Sequence, residues 1–187
     1  MKHQHWLALA ALLYSGAALA HPGHPDGALA GLLHPLTGID HVLAMLAVGL
    51  WGAQLGGRAQ WLLPVGFVAC LAVGGMLGMA GLALPMVEAG ILASVLLLGA
   101  LIGFAVRLPL LPSLGIVGVF ALFHGFAHGT EMPAATSGAL YALGFVAASA
   151  ALHGVGLWLG RSALPHGRWL RASGAAISLA GAWLALA

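Results

Sequence analysis

Histidine and carboxylate recur in two short stretches of an otherwise apolar chain. The first is His34-Pro35-Leu36-Thr37-Gly38-Ile39-Asp40-His41, and the second is Phe123-His124-Gly125-Phe126-Ala127-His128-Gly129-Thr130-Glu131. Imidazole nitrogen and carboxylate oxygen together suit borderline divalent ions such as Ni, Co, Zn, Cu or Fe. His124 and His128 are four residues apart, so a helix stacks them on one face, and Glu131 continues that face one turn later. At about 1.5 Å per residue, His124 lies roughly 10 Å below Glu131 along the axis. Pro35 suits the start of a helix, where its missing N–H costs nothing, and Asp40 and His41 follow about one turn in. If the two helices are neighbours, Asp40, His41, His124, His128 and Glu131 converge. Gly38, Gly125 and Gly129 would then let a backbone or an ion approach closely.

Other residues bear on which ion such a site prefers. Cys70 lies in an apolar run with no second cysteine in the chain. It can form no intramolecular disulfide, and a site specialised for soft Cu(I) is disfavoured. Met45, Met76, Met79, Met86 and Met132 read first as core filler. Each polar residue also has a plainer reading. Asp40 and His41 form a local interfacial pair, His124 and His128 satisfy polar groups between helices, and Glu131 is a loop acid. His34 is a capping neighbour, and His166 is a loop residue among arginines. His153, between apolar turns and flanked by Gly154 and Gly156, is either a ligand or a packed polar residue.

The elements that would position these groups are membrane helices. The chain has 187 residues, is 61% hydrophobic and only 5% charged, whereas soluble domains carry roughly 25% charged residues. The 29 glycines suit helices that pack closely in a bilayer. Apolar runs punctuated by Gly, Pro and Arg predict an all-α, polytopic membrane helix bundle. Its six transmembrane helices lie near 36–56, 60–82, 86–106, 113–131, 134–160 and 168–187, each close to a spanning length. With the start of the first helix outside, Arg58, Arg107, Arg161, Arg168 and Arg171 all fall on the cytoplasmic side, as the positive-inside rule requires. Asp26, Asp40, Glu88 and Glu131, which are all the acids, fall on the outer side. Both histidine motifs lie toward that side, which argues against an inverted repeat of three helices. A basic patch with interleaved aromatics is missing, so no nucleic-acid partner is expected.

Residues 1–20 read as a signal peptide: Lys2 in a short n-region, an apolar stretch from Trp6 to Ala17, and the small-x-small site Ala18-Leu19-Ala20. Cleavage there makes His21 the mature N-terminus, outside the cytoplasm, with 21–35 as a short periplasmic segment and 36–187 as the six-helix domain. In His21-Pro22-Gly23-His24-Pro25-Asp26, a free amine and two histidines form a weak collecting tail for a divalent ion. Pro22 removes a backbone amide that tighter N-terminal motifs use.

The two motifs taken together resemble the HupE/UreJ family. The pattern His34-Pro35 to Asp40-His41, followed by Leu-Ala-Met-Leu-Ala-Val-Gly, and the later Phe123-His124-Gly-x-Ala-His128-Gly-x-Glu131 carry the likeness, which extends over essentially the whole chain. Members are regarded as nickel or cobalt permeases linked to hydrogenase or urease maturation. The resemblance implies that His34, Asp40, His41, His124, His128 and Glu131 matter for metal uptake, with nickel expected and cobalt the alternative. It implies an inner-membrane protein of a bacterium with no enzymatic activity and no prosthetic group, whose divalent ion is cargo. A homo-oligomer in lipid is an allowed assembly.

The expected mechanism is secondary import: the tail and His34 collect the ion, Glu131 stands at the mouth, and Asp40, His41, His124 and His128 replace its waters. No G-x-x-x-x-G-K-[ST] motif is present, so energy comes from a gradient, the membrane potential or a partner. Two rival readings are an intramembrane metal-dependent hydrolase using Glu131 or Asp40, and a haem-binding electron carrier using His41 or His124 with His153.

Overall fold

Apolar segments in a bilayer satisfy their backbone N–H and C=O groups only by coiling into helices or closing into barrels. In the computed structural model this chain takes the first course. The structure describes residues 27–132, 137–163 and 167–186. Among them are seven α-helices, one short 3-10 turn and no strand. The helices are α1 (Gly27–Leu33), α2 (Ile39–Leu55), α3 (Ala59–Met79), α4 (Val87–Gly103), α5 (Leu110–Thr130), α6 (Gly138–Ala163) and α7 (Gly167–Leu186). The expected signal peptide and the His21–Asp26 segment lie outside the described residues, as does His166.

Helices α3, α5, α6 and α7 are each long and apolar enough to cross a membrane, with 21, 21, 26 and 20 residues. The segment Gly27–Leu36 and α2 pass the same test together but are bent by 80°, so they count as a fifth if taken as one broken span. Helix α4 is an apolar helix of 17 residues, which reach about 25 Å against a hydrocarbon core of about 30 Å. Over its described residues the chain is therefore all-helical, with the several apolar spans of a multi-pass membrane protein. The first spanning helix begins later than Pro35 suggests. Pro35 sits in the 3-10 turn His34–Leu36, Gly38 is extended (φ −92°, ψ 112°), and α2 starts at Ile39. Thr37 closes the turn by donating its hydroxyl to the His34 carbonyl at 2.7 Å.

Helix α2 is the axis of the bundle. From Ala44 to Gln54 nearly every residue is buried, including Met45, Val48 and Trp51. Helices α3, α4, α6 and α7 contact it. Its far end is tied by Trp51 Nε1 and Gln54 Nε2, which both donate to the Val106 carbonyl (3.2 and 3.3 Å). Gly56 and Gly57 then take positive φ (69° and 53°), which lets the chain turn at once into α3.

Four helix pairs pack backbone against backbone through reciprocal glycines. Gly125 and Gly129 of α5 lie on the α3 backbone at Leu71 and Gly75, and Gly74 and Gly78 of α3 lie on α5 at Leu122 and Phe126. Gly49 of α2 meets α6 at His153, and Gly156 of α6 meets α2 at Leu46. The same exchange joins Gly99 to Gly174 between α4 and α7, and Gly31 and Gly144 between α1 and α6. In lipid, where apolar burial alone gives little preference between helices, close backbone approach supplies the packing energy. A Cβ at Gly125 would run into the Leu71 carbonyl, a backbone atom that cannot swing away. Gly125→Ala should destabilise the detergent-solubilised protein by about 1–3 kcal/mol. A thermal-unfolding midpoint unchanged from the parent would refute this.

The alternation of helices puts charge at the two ends of the bundle. Asp40, Glu88 and Glu131 stand at one end, at the starts of α2 and α4 and the end of α5. Arg58, Arg107, Arg161, Arg168 and Arg171 fall at the other. There Arg161 Nη2 donates to Gln60 Oε1 at 2.6 Å, and Arg171 Nε donates to the Gly103 carbonyl at 3.0 Å.

Candidate metal centre

Three ligand atoms, from His34, His128 and Glu131, lie within 4.8 Å of one another at the acid end. Glu131 Oε2 is 3.1 Å from His34 Nε2 and 3.4 Å from His128 Nδ1. The first is a hydrogen bond. The second is an ion-pair distance without hydrogen-bond alignment, which leaves His128 Nδ1 free to take another partner. His34 reaches Glu131 because the 3-10 turn holds it across the top of α5, and His128 because it precedes Glu131 by one helical turn.

From this rim the imidazoles descend into the bundle. His128 Nε2 is 3.0 Å from His41 Nδ1, and His41 Nε2 is 3.2 Å from Ser149 Oγ on α6. The ring centroids of His34 and His128 are 4.8 Å apart, those of His128 and His41 4.7 Å, and those of His41 and His124 5.4 Å, all edge to face. Side-chain exposure falls along the row, from 55% at Glu131 and 28% at His34 to 13% at His128. His41 and His124 are fully buried. An ion moving inward along this row would exchange water for nitrogen ligands gradually.

His124 is oriented by a residue of a third helix. Ser94 Oγ donates to the Ile91 carbonyl at 2.6 Å and is 2.8 Å from His124 Nε2. With its proton committed to Ile91, the Ser94 oxygen accepts, so Nε2 of His124 carries the hydrogen and Nδ1 keeps the lone pair. Such outer partners set the ring angle and basicity of metal-binding histidines.

A polar cavity of about 220 Å³ runs beside the row, lined by His34, Asp40, Glu88, His124, His128 and Glu131 among others. That is room for an ion with several waters, given about 30 Å³ per water. Three carboxylates around one cavity favour a cation there. Asp40 Oδ1 accepts from the His41 backbone N–H at 2.6 Å, at the start of α2 where a negative charge also meets the helix dipole.

Of the residues expected from sequence, His34, Asp40, His41, His124, His128 and Glu131 are brought together. The backbones of α2 and α5 are not closely packed; their imidazoles bridge the gap. His153 stands apart, in the wall of another cavity. His21 and His24 lie outside the described residues. Glu88, Ser94 and Ser149 are new members. Glu88 had one signal, an acid at the same end of the chain's topology as Asp40 and Glu131. The two serines had none, because nothing local distinguishes a serine that faces a histidine on another helix.

A bundle of apolar helices with a histidine/carboxylate cluster at one end is the architecture of a multi-pass membrane protein. The family model described as HupE / UreJ protein matches residues 9–184. Protein HupE of Rhizobium leguminosarum bv. viciae is 47% identical over 181 residues, which is 94% of each chain. The chain belongs to the HupE/UreJ family. No solved structure matches it.

Proposed function

We propose that this protein is a secondary permease that imports a divalent transition metal, nickel with cobalt as the alternative, across a bacterial inner membrane. The observation that carries the reading is the continuity of the ligand row. The His34–His128–Glu131 rim opens on a three-carboxylate cavity and continues through His41 and His124 into the bundle. A structural polar cluster has no need of a graded series from solvent to full burial. The nitrogen- and oxygen-rich donor set fits borderline first-row ions, and the family's association with nickel and cobalt supports the choice of cargo.

The gathering of all arginines at the end away from the histidines supports an orientation with the cluster facing the periplasm. The chain then crosses six times, with α4 and the bent first segment as full spans, and matures by removal of residues 1–20. His21 and His24 would act as a collecting tail. Glu131 and His34 take the ion first, and Asp40 and Glu88 hold its charge in the cavity. His128, His41 and His124 then replace its waters. A doubly charged ion entering an inside-negative compartment gains about 4.6 kcal/mol per 100 mV, from about 2.3 per charge, which supports uptake without nucleotide hydrolysis.

The test is radioactive nickel uptake into cells expressing the intact protein, alongside His41→Ala and His124→Ala at matched membrane levels, with cobalt and zinc as competitors. The expected result is accumulation by the intact protein and its loss in both variants. No uptake of any of the three metals by the intact protein would end the permease reading.

A further inference from the structure

The cavity that His153 backs opens outward between α3 and α6, beside the exposed Trp61 and Val65. Its walls are Pro64, Val65 and Val68 of α3 and Ala150, Gly154 and Leu157 of α6. His153 adds an imidazole whose two nitrogens are both buried. Such a wall offers an ion no ligand, and it suits a hydrocarbon. The groove holds about 310 Å³, and Trp61 and Val68, seven residues apart, span about 10 Å along the axis. Val65 is 64% exposed, and a Cβ at Gly154 would meet nothing within 4 Å. The groove therefore lies open to the acyl chains of the bilayer.

Polar groups gather at one end of it only, the arginine end. There the Arg161 guanidinium sits 5.1 Å from the Trp61 ring centroid. Arg161 Nε and Nη2 both donate to Gln60 Oε1, at 3.2 and 2.6 Å. Those bonds use two of the five guanidinium N–H groups and turn the Gln60 amide oxygen toward the arginine. The other guanidinium N–H groups and the Gln60 NH2 are left as donors among the described residues. A planar cation held in place with N–H groups to spare matches the oxygens of a phosphate. Gln60 and Trp61 also belong to the first turn of α3, where the helix dipole favours an anion. Asp40, Glu88 and Glu131, the acids among the described residues, all stand at the opposite end of the bundle.

We propose that the groove between α3 and α6 binds one anionic phospholipid from the leaflet at the arginine end. Its phosphate sits on Arg161 and Gln60 beside the Trp61 indole, and one acyl chain lies along Val65, Val68 and Gly154. Basic pockets between membrane helices take anionic head groups in this way, and tryptophan favours head-group depth. Reciprocal glycines join α3 to α5 and α6 to α2, and among the described residues none joins α3 to α6. The lipid fills the seam that the protein leaves open and ties the two pairs together. The site does not depend on which ion the protein carries.

Native mass spectrometry of the purified, delipidated protein tests this. The probes are phosphatidylglycerol, phosphatidylethanolamine with the same acyl chains, and glycerophosphoglycerol as the head group alone. The intact protein should retain one phosphatidylglycerol about fivefold more tightly than phosphatidylethanolamine, the effect of one basic residue near a head group. Arg161→Gln should abolish that preference. Gly154→Phe, whose ring fills the groove, should weaken retention of both lipids while leaving Arg161 in place; should it not fold, Val65→Trp closes the same groove from the facing helix. Equal retention of the two lipids by the intact protein, or parental retention with the groove filled, overturns the proposal. So does binding of the head group alone as tightly as the lipid, or a doubled mass in which a second copy of the chain excludes lipid. If Arg161→Gln does not fold, the preference of the intact protein decides.

Discussion

His128→Ala should reduce nickel uptake at least a hundredfold at unchanged protein level, as severely as His41→Ala or His124→Ala. Among the described residues its imidazole is the only one that touches both the rim, at Glu131 and His34, and the interior, at His41. Removing it takes away a ligand and also leaves His41 Nδ1 without its partner. If His34, His128 and Glu131 hold one ion, as proposed, their effects should not add. His34→Ala and Glu131→Ala should each cost uptake, and either one combined with His128→Ala should cost little beyond His128→Ala alone. Uptake assays of the three singles and the two doubles decide this. Additive losses would show that the three residues serve separate purposes and that the rim is not one site.

The second large effect is that of acidity. An imidazole binds a metal only through a lone pair, so protons compete with the ion for every nitrogen in the row. The sign follows directly: nickel affinity falls as pH is lowered, and it recovers as pH is raised until every participating histidine is neutral. Below that point each histidine that must shed a proton contributes up to about a tenfold loss per pH unit. A logarithmic plot of nickel affinity against pH should therefore rise with a positive slope on its acid side. His128→Ala should lower the slope. A plot with no slope anywhere on its acid side would rule out imidazole ligation.

Much of this arrangement is legible in the sequence because it is local. The four-residue spacing of His124 and His128 and the further turn to Glu131 put them on one face whatever surrounds them. The separation of acids from arginines follows from counting alternate loops. What escapes is whatever depends on which helices are neighbours. In a membrane bundle both the lipid-facing and the core-facing sides are apolar, so periodicity does not reveal a helix's partners. Hence Ser94 and Ser149, which fix His124 and His41, go unnoticed, and His153 cannot be separated from the cluster although it faces another cavity. The start of α2 at Ile39 escapes for a different reason. Pro35 is as acceptable in a 3-10 turn as at a helix start, and Gly38 allows the extended link that delays the helix to Ile39.

The reciprocal glycines divide the molecule into stiff doublets, α2 with α6, α3 with α5, and α4 with α7. Within a doublet the two backbones interlock and have little room to slide. Between doublets the polar ties are few: His128 to His41 and His124 to Ser94 at one end, and Gln60 to Arg161 with Val106 to Trp51 and Gln54 at the other. An ion that binds His128 and His41 replaces the hydrogen bond between them with bonds to itself. On the permease reading the cargo would be the pin of a hinge: while held, it would clamp α3–α5 to α2–α6, and on moving inward it would release that tie.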